Sequence, residues 1–390
     1  MTFISISLKK KKKKKMASAT PLCVHSSPET HLQAPKSTSI KTLAASPGLT
    51  YIPPNYTYTT NPHESAASEP EDSIPIIDFS SLTSSDPDQR SQVIQDLGKA
   101  CQEWGFFMVT NIRSSQVVNH GVPESLMKEM VDACNGFFDL SEEEKREFEG
   151  KHVLDPIRCG TSFNSKADKV FFWRDFLKMF VHPQFHFPNK PTGFSELLRE
   201  YSKQTRKVAM ELLRGISESL GLEECYIEKA MDLESGLQIF IGNLYPPCPQ
   251  PELTMGLPPH SDHGLLTMLI QNEIGGLQLH HNGKWVNVKA LPNSFLVNTA
   301  DHLEILSNGR YKSVVHRAVV NNKATRISIA MGCGPSLNTI VSPAPELVED
   351  DEGHHLPAYI SMKYRDYLEL QQSNQLDRKS CLDRVRLQIA

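Results

Sequence analysis

The sequence predicts a mainly β protein with flanking helices, built as a double-stranded β-helix (jelly roll) core with an α/β N-terminal region and a C-terminal helix. Three observations predict it. After Ser235, short apolar runs recur between turns: "LQIFIGNLY", "LLTMLI", "LQLHH" and "KWVNV", "SFLVN", "LEILS", "SVVHRAVV" and "RISIAM". Strands that are short, numerous and closely spaced belong to sandwiches, jelly rolls and barrels. Asn282-Gly283 separates two of the runs and is a strong hairpin signal. Helical stripes, by contrast, fill the first half of the chain and return only in "AYISMKYRDYLELQQ" near the end.

Folded structure is expected to begin at "SIPIIDFSSL", a short apolar strand. Asp86 then caps a helix, with Pro87 at its first position and Gln89 at the capping-box position. Val93, Ile94, Leu97, Cys101 and Trp104 give that helix a core-facing stripe, and "GFFMV" follows as a strand. A second helix from about Pro123 carries Met127, Met130, Val131, Cys134, Phe137 and Phe138, and Ser141 with Glu144 forms another capping box. These stripes are read as core. The regions expected are a disordered leader (1–70), an N-terminal α/β region (74–190), a helical connector (191–234), the jelly roll (235–340) and a C-terminal helix and tail (341–390).

The leader reading rests on composition. Seven lysines, Lys9 to Lys15, precede a second methionine, Met16, as in a spurious upstream start. From Met16 to His63 the chain is rich in Ser, Thr and Pro, and Glu29 is its single acid. Such a segment has too little apolar surface to offset its ordering entropy. Its lack of acids resembles a plastid transit segment, but it has no arginine, so a cytoplasmic location is expected first and a plastid second.

With 390 residues and a net charge of -4, the chain supports a sizeable core and carries no basic field. Nucleic acid is not an expected partner, and no apolar run approaches the ~18 residues of a membrane span. The eight cysteines are scattered without a CxxC pair, which argues against a zinc ribbon or a disulfide scaffold. A monomer acting on a small molecule is the expectation.

The chemistry-bearing residues cluster in the β region. In "HSDHGLLTMLI", His260 and Asp262 are two apart and share a face of an extended backbone. His316 lies within "SVVHRAVV"; alone, a histidine among valines is more often a satisfied core residue than a ligand. Together, two His and one Asp form the facial triad of non-haem Fe(II) oxygenases. "RIS" puts Arg326 and Ser328 on one strand face, where a buried guanidinium is costly without an anion. Its planar fork matches a carboxylate, although an internal Arg–Asp or Arg–Glu pair is the plainer alternative. Asn243 and Tyr245 in "NLY" are spaced to complete such a seat.

His260-x-Asp262, His316 and Arg326-x-Ser328, preceded by "NLYPPCPQPE", resemble the plant 2-oxoglutarate- and Fe(II)-dependent dioxygenases, the iron/ascorbate-dependent oxidoreductase type. "PIIDFSSL" and "ACQEWGFFMV…NHGVPESL" are similar to that family's N-terminal region, so the likeness runs from about Ile74 to Leu370. The resemblance implies a jelly roll holding Fe(II) through His260, Asp262 and His316, with O2 as oxidant and ascorbate as a supporting reductant. It implies that 2-oxoglutarate chelates the iron near Asn243 and meets Arg326, Ser328 and Tyr245 with its far carboxylate. The implied activity is oxidation, above all hydroxylation, of a small specialised plant metabolite such as a flavonoid, another phenolic, a terpenoid or an alkaloid. Succinate and CO2 would be released. "RCGTSFN" (Arg158 to Asn164) and "FFWRDFLKMF" (Phe171 to Phe180) are expected to contribute to the pocket, with most of their aromatics in the core. His263 is expected beside the site or in a loop, and His280, His281 and His302 at the surface or in turns.

Two departures from the family pattern stand out. Ala300 replaces a usual glycine, which would cost about 1 kcal/mol if the backbone there had positive φ. Eight extra residues, Ile112 to Asn119, interrupt the strand before "HGV" and are expected to form a solvent-facing loop or bulge with the flanking strand intact. Two rival functions follow: a zinc hydrolase, which leaves Arg326 and Ser328 unexplained, and a catalytically impaired binding protein on the same fold.

Overall fold

Residues 39–58, 73–110, 120–163, 169–348, 356–373 and 377–387 are described by a computed structural model. Its first strands are β1 (Ile76–Asp78), β2 (Phe106–Thr110), β3 (Ile157–Thr161), β4 (Asp175–His182), β5 (Gln238–Tyr245) and β6 (Leu257–His260). They are followed by β7 (Leu266–Gln271), β8 (Leu277–His281), β9 (Lys284–Asn287), β10 (Phe295–Thr299), β11 (His316–Ala318) and β12 (Arg326–Cys333). The larger sheet runs β1-β2-β10-β7-β12-β5-β4-β3 and the smaller β6-β11-β8-β9, the two layers of a jelly roll. Four strands of the larger sheet come from the N-terminal region, so that region completes the β core.

Side-chain alternation decides what each face does. Along β12, Ile327, Ile329 and Met331 pack outward into the main hydrophobic cluster, as do Phe240 and Leu244 of β5 and Leu177 and Met179 of β4. That cluster also takes Leu97 from helix Pro87–Glu103, Met130 from helix Glu124–Phe138, and Leu212 from helix Phe194–Ser219. Each such side chain contributes roughly 1.5–3 kcal/mol on burial, so the pleat cannot slip by one residue without exposing the whole set. The residues between them point at the smaller sheet: Arg326, Ser328 and Ala330 on β12, Ile241, Asn243 and Tyr245 on β5, and Phe176 and Lys178 on β4. These line a cavity between the layers. Phe106, Met108 and Leu296 seal one part of that space against Leu277 and Leu279.

Local signals behave as their chemistry requires. Asp86 accepts the backbone N–H groups of Asp88 and Gln89, while Ser141 and Glu144 form a reciprocal capping box. Asn282 and Gly283 both adopt positive φ (47° and 78°) and close the β8–β9 hairpin. "LEILS" departs from expectation: it is not a strand but lies in a helix, Asp301–Leu306. Its Leu303, Ile305 and Leu306 are all buried, and so are Asp301, His302 and Glu304, because every side of this short helix meets protein. Ala300 has φ −122° and ψ 175°, an extended conformation without strain, so its methyl group carries no backbone penalty. The extra stretch Ile112 to Asn119 lies outside the described residues; β2 ends just before it.

The leader expectation needs correction. Residues 39–58 are folded onto the domain, with helix Ile40–Ala44 and the buried side chains of Ile40, Ile52 and Tyr56 packed against Trp173 and Cys248. Composition averaged over the leader hid these few apolar anchors. A polar anchor joins them: Asp175, itself buried, accepts the backbone N–H groups of Ile40 and Lys41, each at 2.8 Å. Replacing Asp175 by Ala should strand those two donors, cost ~1–3 kcal/mol, and expose residues 39–58 to limited proteolysis before the rest of the chain. Burial raises the Asp175 carboxyl from 3.8 to about 6. A raised carboxylate pKa stabilises the fold fully below its unfolded value, and that contribution is lost as pH rises through about 6. Asp301, raised by burial to about 6, acts in the same window. Asp175→Asn should therefore flatten, without abolishing, the decline in melting temperature between about pH 4 and pH 6.5.

Candidate active site

β6 and β11 pair so that His260 and His316 are direct partners, which brings their rings to a centroid separation of 4.2 Å. His260 Nδ1 lies 2.8 Å from the carbonyl of Pro258, and His316 Nδ1 lies 3.3 Å from that of Val314. A carbonyl only accepts, so Nδ1 carries a hydrogen in each ring, and Nε2 is the nitrogen left to face the cavity. Asp262 follows where β6 ends, with Oδ1 3.7 Å from His260 Nε2 and 3.8 Å from His316 Nε2. Its Oδ2 accepts Asn298 Nδ2 at 3.0 Å, which turns the carboxylate toward the imidazoles. One ligand atom from each of the three residues falls within 4.8 Å of the others.

The electrostatics suit a divalent cation. Burial, then the neighbouring His316, pushes His260 down to about 3, so its imidazole is neutral near pH 7. For Asp262 burial works upward, but His316, His260 and the Asn298 hydrogen bond outweigh it and hold the carboxyl below its ordinary range. Two imidazole nitrogens and one carboxylate oxygen on one side of an ion leave the opposite positions to outside ligands, the donor set that fits Fe(II). The carbonyl and amide partners behind the ligands supply the outer support such sites need.

A second polar group shares the cavity. Register across β5 and β12 places Arg326 opposite Tyr245 and Ser328 opposite Asn243. Arg326 is 2 % exposed, yet no acid among the described residues pairs with it. Its guanidinium donates to Gln271 Oε1 at 2.7 Å, approaches Ser328 Oγ at 3.4 Å, and lies 5.0 Å from the Tyr245 ring centre. Arg326 Nε and Asn243 Oδ1 have no protein partner. A buried cation with spare donors beside a hydroxyl fits a carboxylate. The backbone leaves room for the guanidinium at Gly276, where φ is +136° and a Cβ would stand 2.7 Å from Val319 O and 3.2 Å from Arg326 Cδ.

Other expected residues fall where their neighbours place them. His263 lines the cavity outside the triad and its Nδ1 meets Tyr364 Oη at 2.9 Å. His263→Ala should therefore lower turnover far less than loss of a triad residue, as steady-state succinate release would measure. His302 is not at the surface: it is fully buried, its Nδ1 bonded to His263 O, with Tyr364 and Tyr367 edge-on to its ring. His280 and His281 are half-buried, the latter stacked on Trp104 at 3.8 Å. Arg158, Phe163, Arg174, Phe176 and Lys178 line the cavity, whereas Leu177 and Met179 belong to the core. Sequence reading missed Asn298, Gln271, Gln371 and Gln372. The first two share a signal, an amide at the end of an otherwise apolar strand; the last two come from the C-terminal helix, whose docking no local pattern reveals.

Comparisons with known proteins agree with this geometry. Residues 236–335 match the model of the 2OG-Fe(II) oxygenase superfamily, and residues 74–197 that of the N-terminal region of non-haem dioxygenases in morphine synthesis. The chain is 48% identical over 319 residues to 2-oxoglutarate-dependent dioxygenase 19 of Oryza sativa subsp. japonica, covering 82% of this chain and 91% of that protein. It is 38% identical to thebaine 6-O-demethylase of Papaver somniferum, covering 81% and 86%. The crystal structure of JOX2 in complex with 2OG, Fe and JA is similar at a TM-score of 0.78 and 29% identity, covering 90% of this chain and 98% of that one.

Proposed function

Because this chain belongs to the 2OG-Fe(II) oxygenase superfamily and is an enzyme using Fe(II) and 2-oxoglutarate, we propose that it hydroxylates a small specialised metabolite. His260, Asp262 and His316 hold the iron. Arg326, Ser328 and Tyr245 hold the far carboxylate of 2-oxoglutarate, and Asn243 lies near its chelating end. The observation that carries this reading is the convergence of the triad and an acid-free buried guanidinium on one cavity.

With iron and 2-oxoglutarate bound, O2 would serve as the oxidant, one oxygen atom ending in the succinate formed with CO2 from 2-oxoglutarate and the other in the hydroxylated substrate. The chain's own residues bind and orient. The carbonyls of Pro258 and Val314 keep both Nε2 atoms aimed inward, and Asn298 fixes the carboxylate between them. Gln271 holds one arm of the Arg326 fork, leaving the rest for the cosubstrate. Ile241, Phe176 and Leu269 along the wall limit water, which strengthens each polar contact.

The relatives' names include a flavanone 3-dioxygenase, a thebaine 6-O-demethylase and a codeine O-demethylase, which supports a small organic substrate. A metabolite panel scored by Fe(II)-dependent succinate release, with product mass, tests the reading. Stimulation of succinate release with a product heavier by one oxygen is expected. Succinate formation that persists without iron, or substrate consumed without 2-oxoglutarate, would overturn it.

A further inference from the structure

The β3–β4 wall of the cavity carries a charge arrangement that iron and 2-oxoglutarate leave unexplained. Arg158 and Lys178 are direct partners across the two strands, and both line the cavity. Like charges opposed across a sheet destabilise it unless something compensates. Lys178 is only 5 % exposed, and its ammonium donates to Gln372 Oε1, a neutral amide, at 2.9 Å. Burial, then the guanidiniums of Arg158 and Arg174, presses that ammonium down to about 7. Asp155 lies near Arg158, outside the cavity lining. Asp262 is the single acid among the described lining residues, and the triad uses it.

Register separates this cationic pair from the Arg326 seat. Lys178 faces Ile241 on β5, and Arg326 faces Tyr245. Those β5 positions are four residues apart, ~13 Å along a strand. One five-carbon dicarboxylate anchored at Arg326 does not span that separation. Phe176 lies between the two ends, opposite Asn243, and Ile241 lies beside Lys178; together they offer apolar surface to a ring or hydrocarbon body.

We propose that Arg158 and Lys178 seat an anionic group of the organic substrate, which is therefore a carboxylate-bearing metabolite with an apolar or aromatic body. The proposal rests on the oxygenase reading above and narrows its substrate class. The Arg158 fork takes two oxygens of the carboxylate, and Lys178 adds a point charge beside them while Gln372 holds its third side. Neutral analogues leave the buried Lys178 facing the half-buried Arg158 guanidinium and bind poorly.

The test is anaerobic calorimetry of the protein loaded with Fe(II) and 2-oxoglutarate. The probes are phenylacetate, cinnamate and 1-naphthylacetate, each beside its methyl ester. At least one acid should bind roughly tenfold or more tightly than its ester, the ratio expected for a charge-assisted contact in a buried site. Lys178→Met should bring that ratio near one, and Lys178→Arg should restore most of it. Arg158→Gln gives an independent reading if Lys178→Met does not fold. No acid preference in any pair, including no binding of any acid, overturns the proposal. So does a preference that survives both Lys178→Met and Arg158→Gln. Titration of the wild-type protein with 2-oxoglutarate separates the two levels of failure. Absent 2-oxoglutarate binding sinks the oxygenase reading and this one with it, whereas binding without acid preference sinks only this inference.

Discussion

Replacing His316 or Asp262 by Ala is expected to abolish Fe(II)-dependent succinate release while leaving a folded protein. The reason lies in how the triad is built. Each ligand supplies one atom to a cluster spanning 4.8 Å, and none of the three belongs to the main hydrophobic cluster, so removal opens no void there. The β6–β11 pairing that aligns His260 with His316 is a backbone contact and survives truncation of either side chain. Asp262→Ala removes the anionic donor and strands Asn298 Nδ2, while the Asp301 N–H still reaches the residue-262 carbonyl. Loss of one of three protein donors should weaken iron binding enough to stop turnover; for comparison, changes merely behind a ligand cost 10–100-fold. Circular dichroism, iron content after desalting, and succinate release are the measurements. Full activity in His316→Ala would mean that the metal sits elsewhere.

Arg326→Lys is expected to raise the Michaelis constant for 2-oxoglutarate by roughly 10–100-fold, because a charge-assisted bidentate contact is worth ~1.5–3 kcal/mol. The substitution keeps the charge and removes the fork. Lysine cannot hold Gln271 Oε1, lie beside Tyr245 and meet a carboxylate in the geometry that the guanidinium allows. Ser328→Ala should raise the same constant less, by ~1–2 kcal/mol for one hydrogen bond to a charged group. The split between Michaelis constant and turnover number separates lost cosubstrate binding from general damage. An unchanged 2-oxoglutarate dependence in Arg326→Lys would remove the dicarboxylate from this end of the cavity. It would also leave a buried guanidinium, 2 % exposed, without an anion to justify it.

Much of the site was legible in the sequence because it obeys short-range rules. His260 and Asp262 share a side through the two-residue period of extended chain, and the same period puts Arg326 beside Ser328 and Asn243 beside Tyr245. What stayed hidden involves partners far apart in sequence. Asn298 orients Asp262 across 36 residues, Gln372 meets Lys178 across 194, and the N–H of Arg378 donates to Pro259 O beside the first histidine. Two of the local misreadings have the same origin. "LEILS" has an apolar pattern that suits a buried strand or a buried short helix equally, and only its surroundings decide between them. Residues 39–58 look unfoldable on composition, yet Ile40, Ile52 and Tyr56 find a prepared apolar surface.

By itself the sequence determined the β-rich core, the helical front half, the identities of the candidate ligands and the pairing of residues on each strand face. Periodicity, turn chemistry and capping are local, so they act before any tertiary contact forms. Only the tertiary structure decided that β6 and β11 are neighbours, and so that His260 faces His316. It alone decided that the helices cover the outer face of the larger sheet and leave the polar alternates a cavity. It also set Arg158 against Lys178. Those outcomes depend on long-range register, which is fixed when apolar faces find their buried partners; a pattern of two or four residues carries no information about which distant strand will lie beside it.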